Sequence, residues 1–250
     1  KELFQFSSPL IISNIIIFFY WNVDYVIVDK LLGKEQLGFY WLAFQLGLFI
    51  LRIKDAFINV IFPVYSKERN KEITDKSFND LSKITIQLLG IIFLLFLFFG
   101  KEIFELTFGA KWLPALYPFI ITIILSMLRS FTSFFEPIIL INKKTNIKLI
   151  LAIFNAILVP ILVFLMVKNY GLIGAPLGVL FSNILSTFLL IMMTKKFVSI
   201  HFFPILKICA ILIFITLANN IFVIHDILKI SILAILTGKF IRDGFNKIKN

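Results

Sequence analysis

The chain is poor in the residues that usually carry enzyme chemistry. It has one cysteine, Cys209, and two histidines, His201 and His225, among 250 residues. A single thiol excludes an intrachain disulfide, and two histidines without a second thiol argue against a dedicated zinc site. No metal and no cofactor is expected. Glycine-rich phosphate loops, nucleophile elbows and suitably spaced catalytic carboxylates are absent, so the chain is not read as an enzyme.

Charge is also scarce, since only 16% of residues are Asp, Glu, Lys or Arg. Hydrophobic residues make up 60% and the mean hydropathy is +0.98, well above the roughly 45–50% apolar content of a soluble domain. The apolar residues form continuous runs of bilayer-spanning length at about 4–28, 37–65, 78–99, 113–141, 147–167, 171–193, 204–224 and 227–241. The alternating pattern of a membrane β-barrel is missing. The expected fold is therefore an all-α membrane protein with about eight transmembrane helices, the last one short. The first run contains Asp24 and has no small-residue cleavage site, unlike a signal peptide.

The net charge of +11 could suggest nucleic acid, but its distribution points to the membrane. If all eight runs span, sixteen basic residues fall on one side, including Lys67, Arg69, Lys143, Lys144, Lys195 and Lys247, and six fall on the other, including Lys30, Lys34 and Lys111. Basic residues concentrate on the cytoplasmic side. Both termini of the segment are thus expected to be cytoplasmic, with the protein in the cytoplasmic (inner) membrane, membrane lipids as its surroundings and no nucleic acid as partner. Trp21, Trp41, Trp112, Tyr25, Tyr40 and Tyr170 read as an aromatic belt near helix ends on the lysine-poor side.

The three remaining basic residues, Arg52, Lys54 and Arg129, lie inside expected spans. Arg52 is about 22 Å from Leu37 along a helix axis. An arginine at such depth costs roughly 2.5–3.5 kcal/mol to insert, so it calls for a polar path or a partner. Gln45, Arg52 and Asn59 recur every seven residues and share one helix face, with Lys54 and Asp55 pointing elsewhere. In the fourth span Thr122, Ser126, Arg129, Ser133 and Glu136 follow in steps of four and three and form one polar stripe. The first span adds Asn14 and Asp24. These charges either pair internally, for instance Arg52 with Asp55 or Asp24, or line a cavity.

The runs FSSPLIISNIIIFFYWNVDYVIVDKLLGKEQLGFYWLAFQLG, FPVYSKERN, FGAKWLPALYPFIITIIL and GLIGAPLGVLFSNILS occur in an order and spacing that resembles the second half of the Wzx-type polysaccharide flippases. These form a branch of the multidrug/oligosaccharidyl-lipid/polysaccharide exporter superfamily. The resemblance covers about 4–196. It implies one six-helix lobe at 1–199 followed by an extra helix pair and cytoplasmic tail at 200–250. The first lobe is absent from the chain. That lobe is expected upstream in the same chain or on a separate partner, and the opening on Lys1 and not methionine favours the first.

The resemblance further implies alternating-access export of a polyprenyl-pyrophosphate-linked oligosaccharide across the cytoplasmic membrane, for cell-surface polysaccharide synthesis. Arg52 and Arg129 would draw in the pyrophosphate, with Gln45, Asn59, Ser126 and Ser133 lining the cavity. Asp24, Glu136 and Asp55 are the candidates for a coupling ion. The alternatives are a cation-coupled drug antiporter of the same superfamily, which a basic cavity disfavours, a membrane-embedded sugar or acyl transferase, and a purely structural subunit.

Overall fold

The computed structural model describes residues 2–67, 71–195 and 237, with side chains described for 7–49, 51, 52, 87–195 and 237. The described residues are helical throughout, with eight α-helices and two short 3-10 turns: α1 (Glu2–Tyr20), α2 (Val23–Leu32), α3 (Lys34–Lys67), α4 (Lys71–Thr107), a 3-10 turn (Ala110–Ala115), α5 (Leu116–Ser133), α6 (Phe135–Ile141), α7 (Asn146–Tyr170), a second 3-10 turn (Gly171–Ile173) and α8 (Gly174–Thr194). The first six apolar runs each coincide with helix. The last two, at 204–224 and 227–241, lie outside the described residues apart from 237, and the expected boundary at 199/200 lies outside them as well.

Two of the six are not the single helices that hydropathy suggested. The first run continues to Leu32 and is interrupted at Trp21 and Asn22. The Asn22 side-chain amide donates to the Phe18 carbonyl at 2.7 Å, the kind of local side-chain bond that competes with helical pairing. The fourth run breaks at Phe134, between α5 and α6. Pro137 explains that break, since it lacks an N–H and its ring would collide with the Ser133 carbonyl one turn back. Gly33, at φ +85°, and Gly171, at φ +60°, end α2 and α7 in conformations that a side chain disfavours.

Segments Ser7–Leu32, Gln87–Thr107, Ala110–Ile141 and Asn146–Thr194 are long and apolar enough to cross a bilayer, and the last of them holds both α7 and α8. Their outward faces agree with this. Ile11, Ile15, Phe18 and Phe19 on α1, and Ile153, Ile157, Ile161 and Phe164 on α7, are exposed at helical spacing. Such continuous apolar surface suits hydrocarbon and not water.

Helix α2 packs on α3 and α7, α3 on α5, α5 on α8, and α8 on α7, so five helices close a ring. Helix α1 runs along α7, and α4 packs on α5. A phenylalanine-rich core joins α3, α4 and α5, with the Phe96 and Phe119 rings 4.8 Å apart. A second core of Val28, Tyr40, Phe44, Leu125, Val163 and Val179 joins the ring helices.

With lipid on the outside, helices associate through close packing and not through hydrophobic expulsion, which favours small residues at their contacts. Gly174, Gly178, Ser182 and Ser186 recur every four residues on α8. A Cβ at Gly178 would stand 2.6 Å from the Val163 Cα. Gly47 plays the same part on α3, where a Cβ would stand 2.6 Å from Thr122 Oγ1.

Candidate functional site

The interruption between α1 and α2 sets up the site. It places Asp24 in the first turn of α2, where the amide dipoles of a helix start favour a negative charge. Asp24 is 2% exposed. Its carboxylate accepts the Tyr40 hydroxyl at 2.5 Å and the Tyr25 amide N–H at 3.0 Å. Tyr40 comes from α3 and is fully buried. The rings of Tyr25, Tyr40 and Phe44 pack on one another with centroids 5.5–5.9 Å apart. A buried acid is thus lodged behind an aromatic wall, held by two donors.

Arg129 faces this wall from α5. Its guanidinium carbon lies 5.2 Å from the centre of the Trp21 ring and 5.7 Å from that of Phe44, within the range of cation–π attraction. Its Nε donates to Asn183 Oδ1 on α8 at 3.4 Å. The Asn183 amide in turn donates to the Val179 carbonyl at 2.8 Å, which fixes the direction of its oxygen. Asp24, Tyr20, Tyr25 and Tyr40 all lie within electrostatic reach of Arg129. Arg129 is thirteen residues from the start of α5, about 20 Å along the axis, and so lies well inside the apolar segment Ala110–Ile141. A guanidinium offers five donors in a planar fork. Among the described residues Arg129 uses its Nε on a neutral partner, which leaves it suited to an incoming anion.

The polar stripe of the fourth span divides among several tasks. The Ser126 hydroxyl donates to the Gly47 carbonyl at 2.9 Å and that of Thr122 to the Ala43 carbonyl at 3.2 Å, tying α5 to α3. Ser133 turns back on its own helix, bonding the Ser130 carbonyl at 2.7 Å. Glu136 is exposed and pairs with Lys148 at 2.6 Å. Of the stripe, Arg129 is the member that reaches the aromatic wall.

On α3, Gln45 and Arg52 are both exposed, with Gln45 beside Tyr25. The side chains of Lys54, Asp55 and Asn59 lie outside the described residues. The acid near an arginine is therefore Asp24 with Arg129. Arg52 lies twelve residues beyond Tyr40 on α3, about 18 Å along the helix.

Sequence reasoning did not assign Trp21, Tyr40, Phe44 or Asn183 to a site. Trp21 and Tyr40 were expected in an interfacial belt. In the structure Trp21 stands at the interruption between α1 and α2, where its ring meets Arg129. The available signal was the length of the first segment: Ser7–Leu32 exceeds what a straight span needs.

Comparison with known proteins agrees with the sequence resemblance. A family profile described as "Polysaccharide biosynthesis protein" matches residues 1–117. The probable low-salt glycan biosynthesis flippase Agl15 of Haloferax volcanii is 25% identical over 205 residues, which are 81% of this chain and 43% of that protein. The teichuronic acid biosynthesis protein TuaB of Bacillus subtilis is 27% identical over 118 residues, 46% of this chain and 24% of that one. The capsular polysaccharide biosynthesis protein CapF of Staphylococcus aureus is 25% identical over 195 residues, 73% of this chain and 47% of that one. The chain spans less than half the length of the curated relatives it matches. No solved structure matches it.

Proposed function

We propose, from the premise that this chain is a relative of the polysaccharide-biosynthesis flippases, that it forms part of a transporter that turns a polyprenyl-diphosphate-linked oligosaccharide from the inner to the outer leaflet of the cytoplasmic membrane. The observation that carries this reading is Arg129, a guanidinium well inside an apolar segment, caged by Trp21 and Phe44 and bonded to a neutral amide. Arginine matches the oxygens of a diphosphate with paired donors, and in a water-poor setting such charge-assisted bonds are strong. Arg52 and Gln45, exposed on α3, would extend the path toward the lysine-rich side. Alternating access would be completed by a complementary half, in the same chain or on a partner.

Asp24 would couple transport to a cation, a reading supported by its burial, its hydrogen bonds and its nearness to Arg129. Glu136, exposed and paired with Lys148, is the secondary candidate. A drug antiporter is less well supported, since an arginine at the centre of the site repels cationic drugs. A transferase reading lacks a described constellation that could perform the chemistry.

Depletion of the protein in cells tests the proposal. Lipid-linked oligosaccharide should continue to be made and should accumulate in the inner leaflet, while surface polysaccharide falls. Loss of lipid-linked oligosaccharide synthesis itself would contradict a flippase and favour the transferase.

A further inference from the structure

We infer that Trp21 forms a sugar-stacking subsite beside Arg129, so that the site recognises the first sugar attached to the diphosphate as well as the diphosphate itself. The inference rests on Arg129 being the diphosphate anchor. In a lipid-linked oligosaccharide the first sugar ring is separated from the outer phosphorus by one bridging oxygen. A diphosphate held on the guanidinium of Arg129 therefore leaves that sugar next to whatever flanks the guanidinium. The flanking surface is Trp21: the guanidinium covers one side of its ring, with Cζ 5.2 Å from the ring centre, and the part of the indole left exposed is where the sugar would lie.

The aromatic members of the site differ in what they leave open. Tyr40 and Phe44 are buried and pack on Tyr25 and on each other. Trp21 remains 44% exposed, although it sits inside the apolar segment Ser7–Leu32. The Tyr20 side chain hydrogen-bonds that of Trp21, which holds the edge of the indole. The backbone around Trp21 is fixed in its interrupted turn, with its N–H on the Ile17 carbonyl at 3.0 Å and the Asn22 amide on the Phe18 carbonyl at 2.7 Å. The result is a held, half-open indole next to an anion-binding group.

Indole is the largest aromatic face a protein has, and its negative π-surface attracts the weakly positive C–H bonds of an apolar surface laid against it. A pyranose with axial hydrogens on one face presents such a surface, while its hydroxyls point outward around the rim. Stacking is tolerant of which hydroxyls are present. The ligand class is thus a hexose, or N-acetylhexosamine, with an uninterrupted C–H face, joined to a lipid diphosphate.

Trp21 also touches Arg129, so a role in holding the arginine must be distinguished from a role in binding sugar. Arg129 also contacts Phe44 and Asn183, neither of which involves Trp21, so Trp21→Ala should leave the arginine held, and a half-exposed ring should leave no large cavity behind. The test measures displacement of a radiolabelled ligand from the full-length protein in detergent. Two probes are compared, farnesyl diphospho-N-acetylglucosamine and farnesyl diphosphate, with thermal melting of each variant as a folding control.

The unaltered protein should bind the sugar-bearing probe more tightly than the bare diphosphate. Trp21→Ala should weaken the sugar-bearing probe about tenfold and the bare diphosphate less than twofold, erasing the difference. Trp21→Tyr should restore most of it, because a smaller aromatic face still stacks. Equal weakening of both probes by Trp21→Ala would show that Trp21 only positions Arg129 and would overturn the subsite. No change with either probe would overturn it as well. Failure of the unaltered protein to bind either probe would overturn the diphosphate reading of Arg129, and the subsite with it.

Discussion

The Tyr40 hydroxyl reaches the Asp24 carboxylate at 2.5 Å, joining α3 to the helix start that follows the break in the first span. Both residues are buried, so the bond is made where neither group can turn to water for a substitute. Leaving a buried acceptor without its donor costs about 1–3 kcal/mol, more when the group is charged. Tyr40→Phe should therefore lower the detergent melting temperature by several degrees. The double variant with Asp24→Asn should cost less than the sum of the two single changes. Strict additivity would mean that the two groups do not support each other.

Asp24 and Glu136 differ in ways that separate their roles. Glu136 is exposed and ion-paired with Lys148, a contact worth about 0–1 kcal/mol. Glu136→Gln should change stability by less than that and shift the ion dependence of transport less than a change at Asp24 does. Asp24→Asn should alter the dependence on pH or sodium. Transport assayed in vesicles under imposed proton or sodium gradients checks both, and an unchanged profile for Asp24→Asn would remove it as the coupling group.

Gly47 has no room for a side chain. A Cβ there would stand 2.6 Å from Thr122 Oγ1 and 2.8 Å from its Cβ, and the same helix pair is tied by Ser126 and the Gly47 carbonyl. Gly47→Ala should destabilise the protein by about 1–3 kcal/mol through overpacking. Because Phe44 lies one turn before Gly47 and Arg129 one turn after Ser126, forcing the helices apart should also weaken substrate binding. Thr122→Ala in the same chain should recover part of the loss, a coupling expected only between residues in contact.

The side of each loop can be read by labelling. Lys34 and Lys143 are both exposed, whereas Thr145 in the same loop as Lys143 is buried. In a background lacking Cys209, a cysteine at Lys34 should react with an impermeant reagent in intact cells. One at Lys143 should react only after permeabilisation. The reverse pattern would invert the orientation inferred from the lysine distribution.

Much of the fold was legible because the bilayer imposes a simple demand: every span must be apolar for about twenty residues and satisfy its own backbone. Six runs read from the sequence are helices. The breaks at Trp21 and Phe134 were less legible, since hydropathy averages over them and a side-chain amide such as that of Asn22 is a weak local signal. Pro137 did mark the second break. At the site, spacing put Thr122, Ser126, Arg129, Ser133 and Glu136 on one stripe, whereas Glu136 lies on α6 beyond the break at Phe134. Nor could spacing tell that Thr122 and Ser126 bond the backbone of α3 at Ala43 and Gly47 while Arg129 meets α2 and α8. That division depends on which helix stands opposite each turn. The α8 series Gly174, Gly178, Ser182 and Ser186 has a four-residue period, but that it packs closely is shown by the structure, where a Cβ at Gly178 would meet Val163.

The most direct test is leaflet translocation of a labelled lipid-linked oligosaccharide by the Arg129 variants, with melting measured in parallel. Lysine keeps the charge but loses the planar fork, so Arg129→Lys should slow translocation about tenfold, and Arg129→Gln should reduce it to the level of vesicles without protein. Both variants should remain folded, because the arginine's described hydrogen bond is to the neutral Asn183 and the nearby Asp24 carboxylate keeps its own donors, Tyr40 and Tyr25. Normal translocation by folded Arg129→Gln protein would contradict the assignment of Arg129 as the diphosphate anchor.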